Sequence, residues 1–235
     1  NWVKLQHFVS GWWIWSQRNN CYLPNNNLPM LSPLTNPKAC LVLAHGAGAC
    51  CDSPYMIALA EALARHNIEV LRFNFRYMQQ SIALGRKRPP EKMALLQQEF
   101  LKQISMVNYQ LPLFIGGKSM GGRVASMLDL ADEPQVRAVF AFGYPFHPPG
   151  KSQWRTAHFS SLAMPLHILQ GERDPFGKRA ELTDLSWPKV NVHWLTAADH
   201  DFKPTKASGL KQQDVICAAA AYCNKVIDEI LLANQ

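Results

Sequence analysis

The stretch Gly117-Lys118-Ser119-Met120-Gly121 has the spacing Gly-x-Ser-x-Gly and decides how the chain is interpreted. An apolar, β-prone run, Leu113–Gly116, precedes it, and Arg123–Leu128 follows with the composition of a helix. A serine on a sharp turn between a strand and a helix is a nucleophile elbow, in which glycines are needed because the turn is strained and the helix passes close to the sheet. The pattern therefore predicts Ser119 as a nucleophile, with a glycine-rich turn that carries an incidental serine as the plain alternative.

The same stretch also resembles the end of a phosphate-binding loop, whose pattern is G-x-x-x-x-G-K-S. That loop requires glycine at position 112, where this chain has Pro112. The apolar residues that follow Pro112 are typical of a strand rather than of a flexible cradle. We therefore do not expect nucleotide binding at this stretch.

Short apolar runs alternate with helical patterns along most of the chain, which is typical of an α/β protein with a mostly parallel central sheet and helices on both faces. Helices are predicted from Pro54 onward, from Pro90 to Asn108 and from near Asp214. Residues 1–36, rich in Asn, Pro and Trp, are predicted to form an N-terminal arm or edge strand outside a single domain at 37–235. The predicted strands are Cys40–Ala44, Glu69–Phe75, Leu113–Gly116, Arg137–Phe142, Leu166–Gln170 and Asn191–Leu195.

A second glycine-rich turn, His45-Gly46-Ala47-Gly48-Ala49, directly follows the first predicted strand. In acyl transfer, backbone N–H groups at such a turn and directly after the nucleophile stabilise the oxyanion. We therefore expect the N–H groups of Ala47 and Met120 to form an oxyanion hole and His45 to brace the loop. A plain strand-to-helix turn is the alternative.

An acid and a base follow two later strands. Asp174 lies in the turn Gly171–Gly177, and His200 lies in Asp199-His200-Asp201-Phe202. The chain order Ser, Asp, His is that of α/β-hydrolase triads, and the carboxyl ends of parallel strands meet at one edge of the sheet. The order therefore predicts Ser119, Asp174 and His200 as a catalytic triad.

The chain from Cys40 to its end resembles a small α/β-hydrolase family related to dienelactone hydrolases. It is similar to predicted bacterial hydrolases and to the animal testis-expressed and histone-acetyltransferase-complex members. The resemblance implies a sheet without a large cap domain and a hydrolase whose substrate is rarely defined, and it implies that some members serve as protein scaffolds. It rests on His45–Ala49, Asp52-Ser53-Pro54, Arg72–Phe75, Gly116–Arg123, Gly171–Gly177 and Asp199–Phe202.

Substrate and partners are less well defined by the sequence. Arg76, Tyr77 and a loop at 78–92 are predicted to border the substrate pocket, and a small acyl molecule, an ester or a thioester above all, is the expected substrate. The triad needs no cofactor, and no group of residues has the spacing of a metal site. A protein-binding scaffold without activity is the alternative.

The composition limits the remaining classes. The formal net charge of +7 permits weak attachment to nucleic acid or acidic lipid, but the densest basic run, Arg86-Lys87-Arg88, has no interleaved aromatic residues and is predicted to be a solvated loop. No apolar run approaches the length of a membrane span. The six cysteines form no secreted framework, so we expect reduced thiols and a cytoplasmic protein.

Overall fold

Six parallel strands form one sheet in the computed structural model, which describes residues 34, 36–107, 111–133 and 135–233. The order across the sheet is β2-β1-β3-β4-β5-β6. Every predicted strand is present, with ends within two residues of those predicted. The strands are β1 (Ala39–Ala44), β2 (Ile68–Phe73), β3 (Leu113–Lys118), β4 (Val136–Phe142), β5 (Leu166–Gly171) and β6 (Val190–Leu195).

Helices cover both faces of the sheet. One core holds the buried side chains of α1 and α6, and the other holds those of α2, α3 and α4. Alternate residues of β1 point into the two cores, which is why the whole strand is apolar and buried. The α/β fold with helices on both faces is confirmed, and the described residues contain no separate cap domain. The helices are α1 (Pro54–Ala64), α2 (Arg76–Leu84), α3 (Met93–Ser105), α4 (Met120–Ser126), α5 (Arg179–Leu182) and α6 (Gln212–Leu232).

The prediction of a loop at 78–92 is wrong for residues 78–84, because α2 continues to Leu84. This helix buries Tyr77, Met78, Ser81 and Ile82, a helical spacing that its polar residues obscure in the sequence. It ends at Gly85, which has a φ of 63°, a conformation that favours glycine. The basic run at 86–88 lies in the exposed loop after it. The predicted arm at 1–36 lies outside the described residues, apart from positions 34 and 36.

The chain reverses direction across the sheet between β1 and β3. From β1 it passes to β2 on one side and then returns to β3 on the other. In open α/β sheets, ligands bind in the crevice at the carboxyl ends of the strands where the order reverses. The loops that follow β1 and β3 therefore lie at the place where a site is expected.

Candidate active site

Ser119 occupies a strained turn between β3 and α4. Its φ is 51° and its ψ is −111°, values that a residue with a side chain adopts only when its surroundings enforce them. The surroundings are crowded, because a Cβ on Gly117 would lie 2.4 Å from the Gly121 carbonyl carbon and one on Gly121 would lie 2.6 Å from the Ala44 carbonyl oxygen. The two glycines of the motif are therefore required by packing.

The three predicted triad side chains lie in one hydrogen-bonded row. His200 Nε2 is 2.9 Å from Ser119 Oγ, and His200 Nδ1 is 2.7 Å from Asp174 Oδ2. The residues are far apart in the chain and come from the loops after β3, β5 and β6. The row has the order nucleophile, base and orienting acid that acyl transfer requires.

Asp174 is fully buried, and both of its oxygens have partners besides the imidazole. Oδ1 accepts a hydrogen bond from the Phe176 N–H at 2.8 Å, and Oδ2 accepts one from Gln170 Nε2 at 2.9 Å. The Phe176 ring lies 4.4 Å from the His200 ring, at an interplanar angle of 35°. These contacts hold Asp174 and His200 in one orientation.

His45 fixes the loop after β1. It is fully buried, and its Nε2 accepts a hydrogen bond from the Phe75 N–H at 3.1 Å. Its Nδ1 therefore carries the proton and donates to the Gly46 carbonyl at 2.6 Å. Burial lowers the pKa of His45 to about 4, so the ring is neutral at pH 7. The peptide plane is rigid, so the bond to the Gly46 carbonyl also sets the direction of the Ala47 N–H.

A cleft of about 410 Å³ opens beside Ser119 and His200. Ala47 lines it, while Met120 follows Ser119 directly as the first residue of α4. The predicted pocket residues Arg76 and Tyr77 do not line it. The side chain of Tyr77 is buried beneath the loop, where its hydroxyl donates to the Ala47 carbonyl at 3.1 Å, and the backbone N–H of exposed Arg76 donates to Glu99. The lining residues are Gly46, Ala47, Gly48, Ala49, Ser53, Tyr55, Met56, Lys118, Ser119, Phe176, His200 and Asp201.

A family model described as an alpha/beta hydrolase domain matches residues 37–228. The chain belongs to this family.

Solved structures also share the fold of this alpha/beta hydrolase, all at low sequence identity. A dienelactone hydrolase from Anabaena variabilis is 20% identical with a TM-score of 0.61, and 81% of this chain and 86% of that chain are covered. An alpha-beta serine hydrolase homologue from Coxiella burnetii is 17% identical with a TM-score of 0.56, and 88% and 98% are covered. Mouse alpha/beta hydrolase domain-containing protein 10 is 15% identical with a TM-score of 0.57, and 89% and 98% are covered.

Two side chains that the sequence analysis missed support the candidate triad of this alpha/beta hydrolase. Gln170, at the end of β5, is fully buried and connects Asp174 to Tyr144, whose backbone N–H donates to Gln170 Oε1 at 2.8 Å. Lys118, directly before Ser119, donates from Nζ to the His200 carbonyl at 2.5 Å. A polar residue inside a buried strand is the signal that could have identified both.

Lys118 is a buried cation that joins three parts of the site. Its side chain is 9% exposed, and its Nζ lies 3.5 Å from Asp201 Oδ1 and 5.4 Å from the centre of the Tyr55 ring. Burial lowers the pKa of the ammonium, and the nearby Asp201 carboxylate opposes this effect. Lys118 therefore ties the elbow to the loop that carries His200.

The remaining expectations concern cysteines, metals and membranes. Cys51, Cys217 and Cys223 are free thiols, but Cys50 is disulfide-bonded, so the prediction of reduced thiols is wrong for Cys50. Within the described ranges, no group of three or more His, Cys, Asp or Glu side chains could hold a metal ion. In the same part of the chain, no helix combines the length and the hydropathy needed to cross a bilayer.

Proposed function

We propose that this alpha/beta hydrolase is a serine hydrolase that cleaves an acyl bond, a carboxylester or a thioester, through a covalent acyl-enzyme. The observation that carries the proposal is the row of two hydrogen bonds, 2.9 Å from Ser119 Oγ to His200 Nε2 and 2.7 Å from His200 Nδ1 to Asp174. The spacing suits proton transfer from the hydroxyl to the imidazole.

In the proposed mechanism, His200 Nε2 takes the proton of Ser119, and Oγ attacks the acyl carbon. Asp174 keeps the proton on Nδ1, so that Nε2 is free to accept, and it stabilises the imidazolium that forms. The imidazolium then gives its proton to the leaving group. A water molecule, deprotonated by His200 in turn, attacks the acyl-enzyme and releases the acid. The steps use side chains and backbone alone and require no cofactor.

The backbone N–H groups of Ala47 and Met120 donate hydrogen bonds to the negatively charged oxygen of the tetrahedral intermediate. The loop that carries Ala47 lies against the elbow, since a Cβ on Gly46 would be 3.7 Å from Ser119 Cβ. His45 sets the direction of the Ala47 N–H before substrate arrives, as described above. A donor that is fixed in advance stabilises the transition state without reorganisation, and loss of one such donor costs about 10² to 10³ in turnover.

The cleft supports a small acyl substrate. Its volume of about 410 Å³ lies within the range of ligand pockets, and Ala47, Ala49 and Met56 give it an apolar wall. We propose a small-molecule partner, a cytoplasmic location and no nucleic-acid partner. We also propose residues 37–235 as one hydrolase domain, which the family match at 37–228 supports.

Labelling with a fluorophosphonate, followed by mass spectrometry and a panel of acyl esters and thioesters, tests the proposal. Wild type should be modified at Ser119 and should hydrolyse at least one substrate, and Ser119→Ala should lose both. Ser53→Ala is the matched control, since Ser53 lines the same cleft but has no imidazole partner, and it should retain labelling. Labelling that survives in Ser119→Ala would refute the assignment. A folded wild type that neither labels nor hydrolyses would favour the protein-binding scaffold.

A further inference from the structure

Two motifs behind the family resemblance, Asp52-Ser53-Pro54 and Arg72–Phe75, have no part in the proposed chemical steps. In the structure they meet at the loop of residues 45–51, which follows β1 and whose residues 46–49 line the cleft. All the polar side chains that make this contact are buried, so they hold the loop from inside the protein. We call them the loop clamp: Asp52, Arg72 and Asn74.

Both backbone groups of Cys51, at the end of the loop, are bound by the clamp. The Cys51 carbonyl accepts a hydrogen bond from Arg72 Nη1 at 2.6 Å, and the Cys51 N–H donates to Asn74 Oδ1 at 2.9 Å. The same Arg72 Nη1 lies 3.3 Å from Asp52 Oδ1, so the carboxylate fixes the guanidinium that binds the carbonyl. Because each peptide unit is planar, the two bonds fix the peptide planes on both sides of Cys51.

The same stretch of chain also holds the beginning and the middle of the loop. The Phe75 N–H donates to His45 Nε2 at 3.1 Å, and the Tyr77 hydroxyl donates to the Ala47 carbonyl at 3.1 Å. Between the two buried ends, the tip of the loop is exposed at 47–49. The position of the tip therefore depends on contacts that the end of β2 and the start of α2 supply.

Stability alone does not account for a charged side chain inside β2. Arg72 is only 4% exposed, its strand is buried almost throughout, and its Nε has no hydrogen-bond partner in the part of the chain that the structure describes. Replacing a buried ion pair by apolar side chains is often neutral or stabilising, because the desolvation of both charges offsets their attraction. An apolar side chain would fill the same space but could not donate to the Cys51 carbonyl, so the contact points to a role of Arg72 in placing the loop.

We propose that the three residues of the loop clamp are positioning residues, which hold the loop after β1 so that the Ala47 N–H faces the oxyanion. The inference rests on the proposed function, in which Ala47 supplies one of the two oxyanion donors. The clamp residues are not among those that line the cleft, so they act on the reaction through the loop. A donor that is fixed in advance stabilises the transition state without reorganisation, and a loosened donor loses part of this stabilisation.

The double variant Asp52→Asn/Arg72→Met tests the proposal. Both charges are removed together, because a single substitution would leave the other charge buried and unpaired, which is strongly destabilising. Glu69→Gln is the matched control, since Glu69 is a charged residue near the opposite end of the same strand. Circular dichroism and thermal unfolding verify that each variant is folded.

The first measurement is the backbone order parameter of the Ala47 amide, obtained from nitrogen relaxation by NMR, and it requires no substrate. The order parameter should be about 0.85 in wild type and in Glu69→Gln, the value of a rigid backbone, and should fall below about 0.6 in the folded double variant. An Ala47 amide that is as rigid in the folded double variant as in wild type would overturn the proposal. So would an Ala47 amide that is already flexible in wild type.

The second measurement is kcat and KM with 4-nitrophenyl acetate and with the other acyl substrates of the panel. The double variant should lower kcat by a factor of about 10 to 100 and change KM less than about threefold, because the oxyanion forms only in the transition state. General loosening of the fold would instead lower the thermal midpoint and impair substrate binding as well. A folded double variant that keeps the wild-type kcat would overturn the positioning role.

Asn74 provides an independent pair of variants, which decides the outcome if the double variant fails to fold. Asn74→Ala removes the acceptor of the Cys51 N–H, so the order parameter of the Ala47 amide should fall and kcat should decrease about tenfold. Asn74→Asp keeps an oxygen at the same position and should retain at least about half of the wild-type kcat. An Asn74→Ala variant that behaves as wild type, or an Asn74→Asp variant that is equally impaired, would contradict the proposal.

Failure of the proposed function and failure of this inference give different results. If wild type hydrolyses no acyl substrate while the Ala47 amide loses its order in the folded double variant, the proposed function fails and placement of the loop by the clamp is supported. If wild type hydrolyses an acyl substrate and the folded clamp variants keep its kcat, the proposed function stands and the positioning role fails.

Discussion

Replacing Lys118 by methionine removes a buried charge and leaves most of the apolar stem in place. In the native protein, the ammonium donates to the His200 carbonyl at 2.5 Å and lies 3.5 Å from Asp201, with only 9% of the side chain exposed. The variant keeps the packing against the elbow but releases the loop that carries His200, the proposed base. We therefore expect a larger effect on the reactivity of Ser119 than on folding.

The magnitudes follow from these contacts. A hydrogen bond from a charged donor contributes about 1.5 to 3 kcal/mol, but methionine also avoids the cost of burying an ammonium. We expect a net loss of about 1 kcal/mol in the free energy of unfolding, which a typical domain tolerates. A displacement of about 1 Å in a reacting group costs on the order of 10² in rate, so we expect Ser119 to react 10 to 100 times more slowly.

The assay is the second-order rate constant for modification of Ser119 by a fluorophosphonate, with urea unfolding measured on the same samples. Lys203→Met is the matched control, because Lys203 also faces Asp201, at 4.0 Å, but is 62% exposed. Exposed ion pairs contribute about 0 to 1 kcal/mol, so the control should label at the wild-type rate. A folded Lys118→Met that labels as fast as wild type, or a Lys203→Met that is equally slow, would refute the reasoning.

Three further predictions concern the acid, the oxyanion loop and pH. Asp174→Asn should lower turnover by a factor of about 10⁴, because the imidazole then takes the wrong tautomer. Asp199→Asn should lower turnover much less, so the turnover of the two folded variants decides which carboxylate is the acid. Tyr77→Phe removes the hydroxyl that donates to the Ala47 carbonyl, and it should lower kcat about tenfold with little change in KM and in thermal stability. An unchanged kcat would contradict a role of Tyr77 in positioning the Ala47 loop. Burial lowers the pKa of His45 to about 4, so the unfolded chain binds the extra proton first as the pH falls. On account of this residue, the free energy of unfolding should therefore decrease by up to about 3 kcal/mol between pH 6.5 and pH 4. The free energy of unfolding, measured with urea at each pH, should change less with pH in His45→Gln than in wild type. An equal change with pH in both proteins would contradict the expectation.

The narrower resemblance stays a prediction. The family match and the structural likenesses assign the chain to alpha/beta hydrolases, and they include a dienelactone hydrolase. They do not distinguish the testis-expressed and histone-acetyltransferase-complex members from other branches. The labelling experiment at Ser119 separates an active enzyme from a scaffold within any of these branches.

The strands were predictable because their signal is local. A strand covered on both faces is mostly apolar along its length. The sequence of β1 is apolar throughout, and those of β3 and β5 are interrupted only by Lys118, His167 and Gln170. The signal for Ser119, Asp174 and His200 was equally local, since each lies within five residues of the end of a strand. Parallel pairing then brings the three loops to one edge of the sheet. The sequence by itself thus determined the fold class and identified the three side chains of the candidate triad.

Only the tertiary structure decided which side chains line the cleft and which support it. Tyr77 follows β2 at the edge of the sheet where the cleft lies, yet α2 turns its side chain beneath the loop after β1, away from the predicted pocket. Gln170 and Lys118 acquire their partners, Tyr144 and His200, from parts of the chain that lie 26 and 82 residues away. Such contacts depend on how helices and loops pack over the strands, and packing has no period along a sequence. Apolar periodicity reports the environment of each segment, whereas the direction of a single polar side chain is set by its neighbours in space.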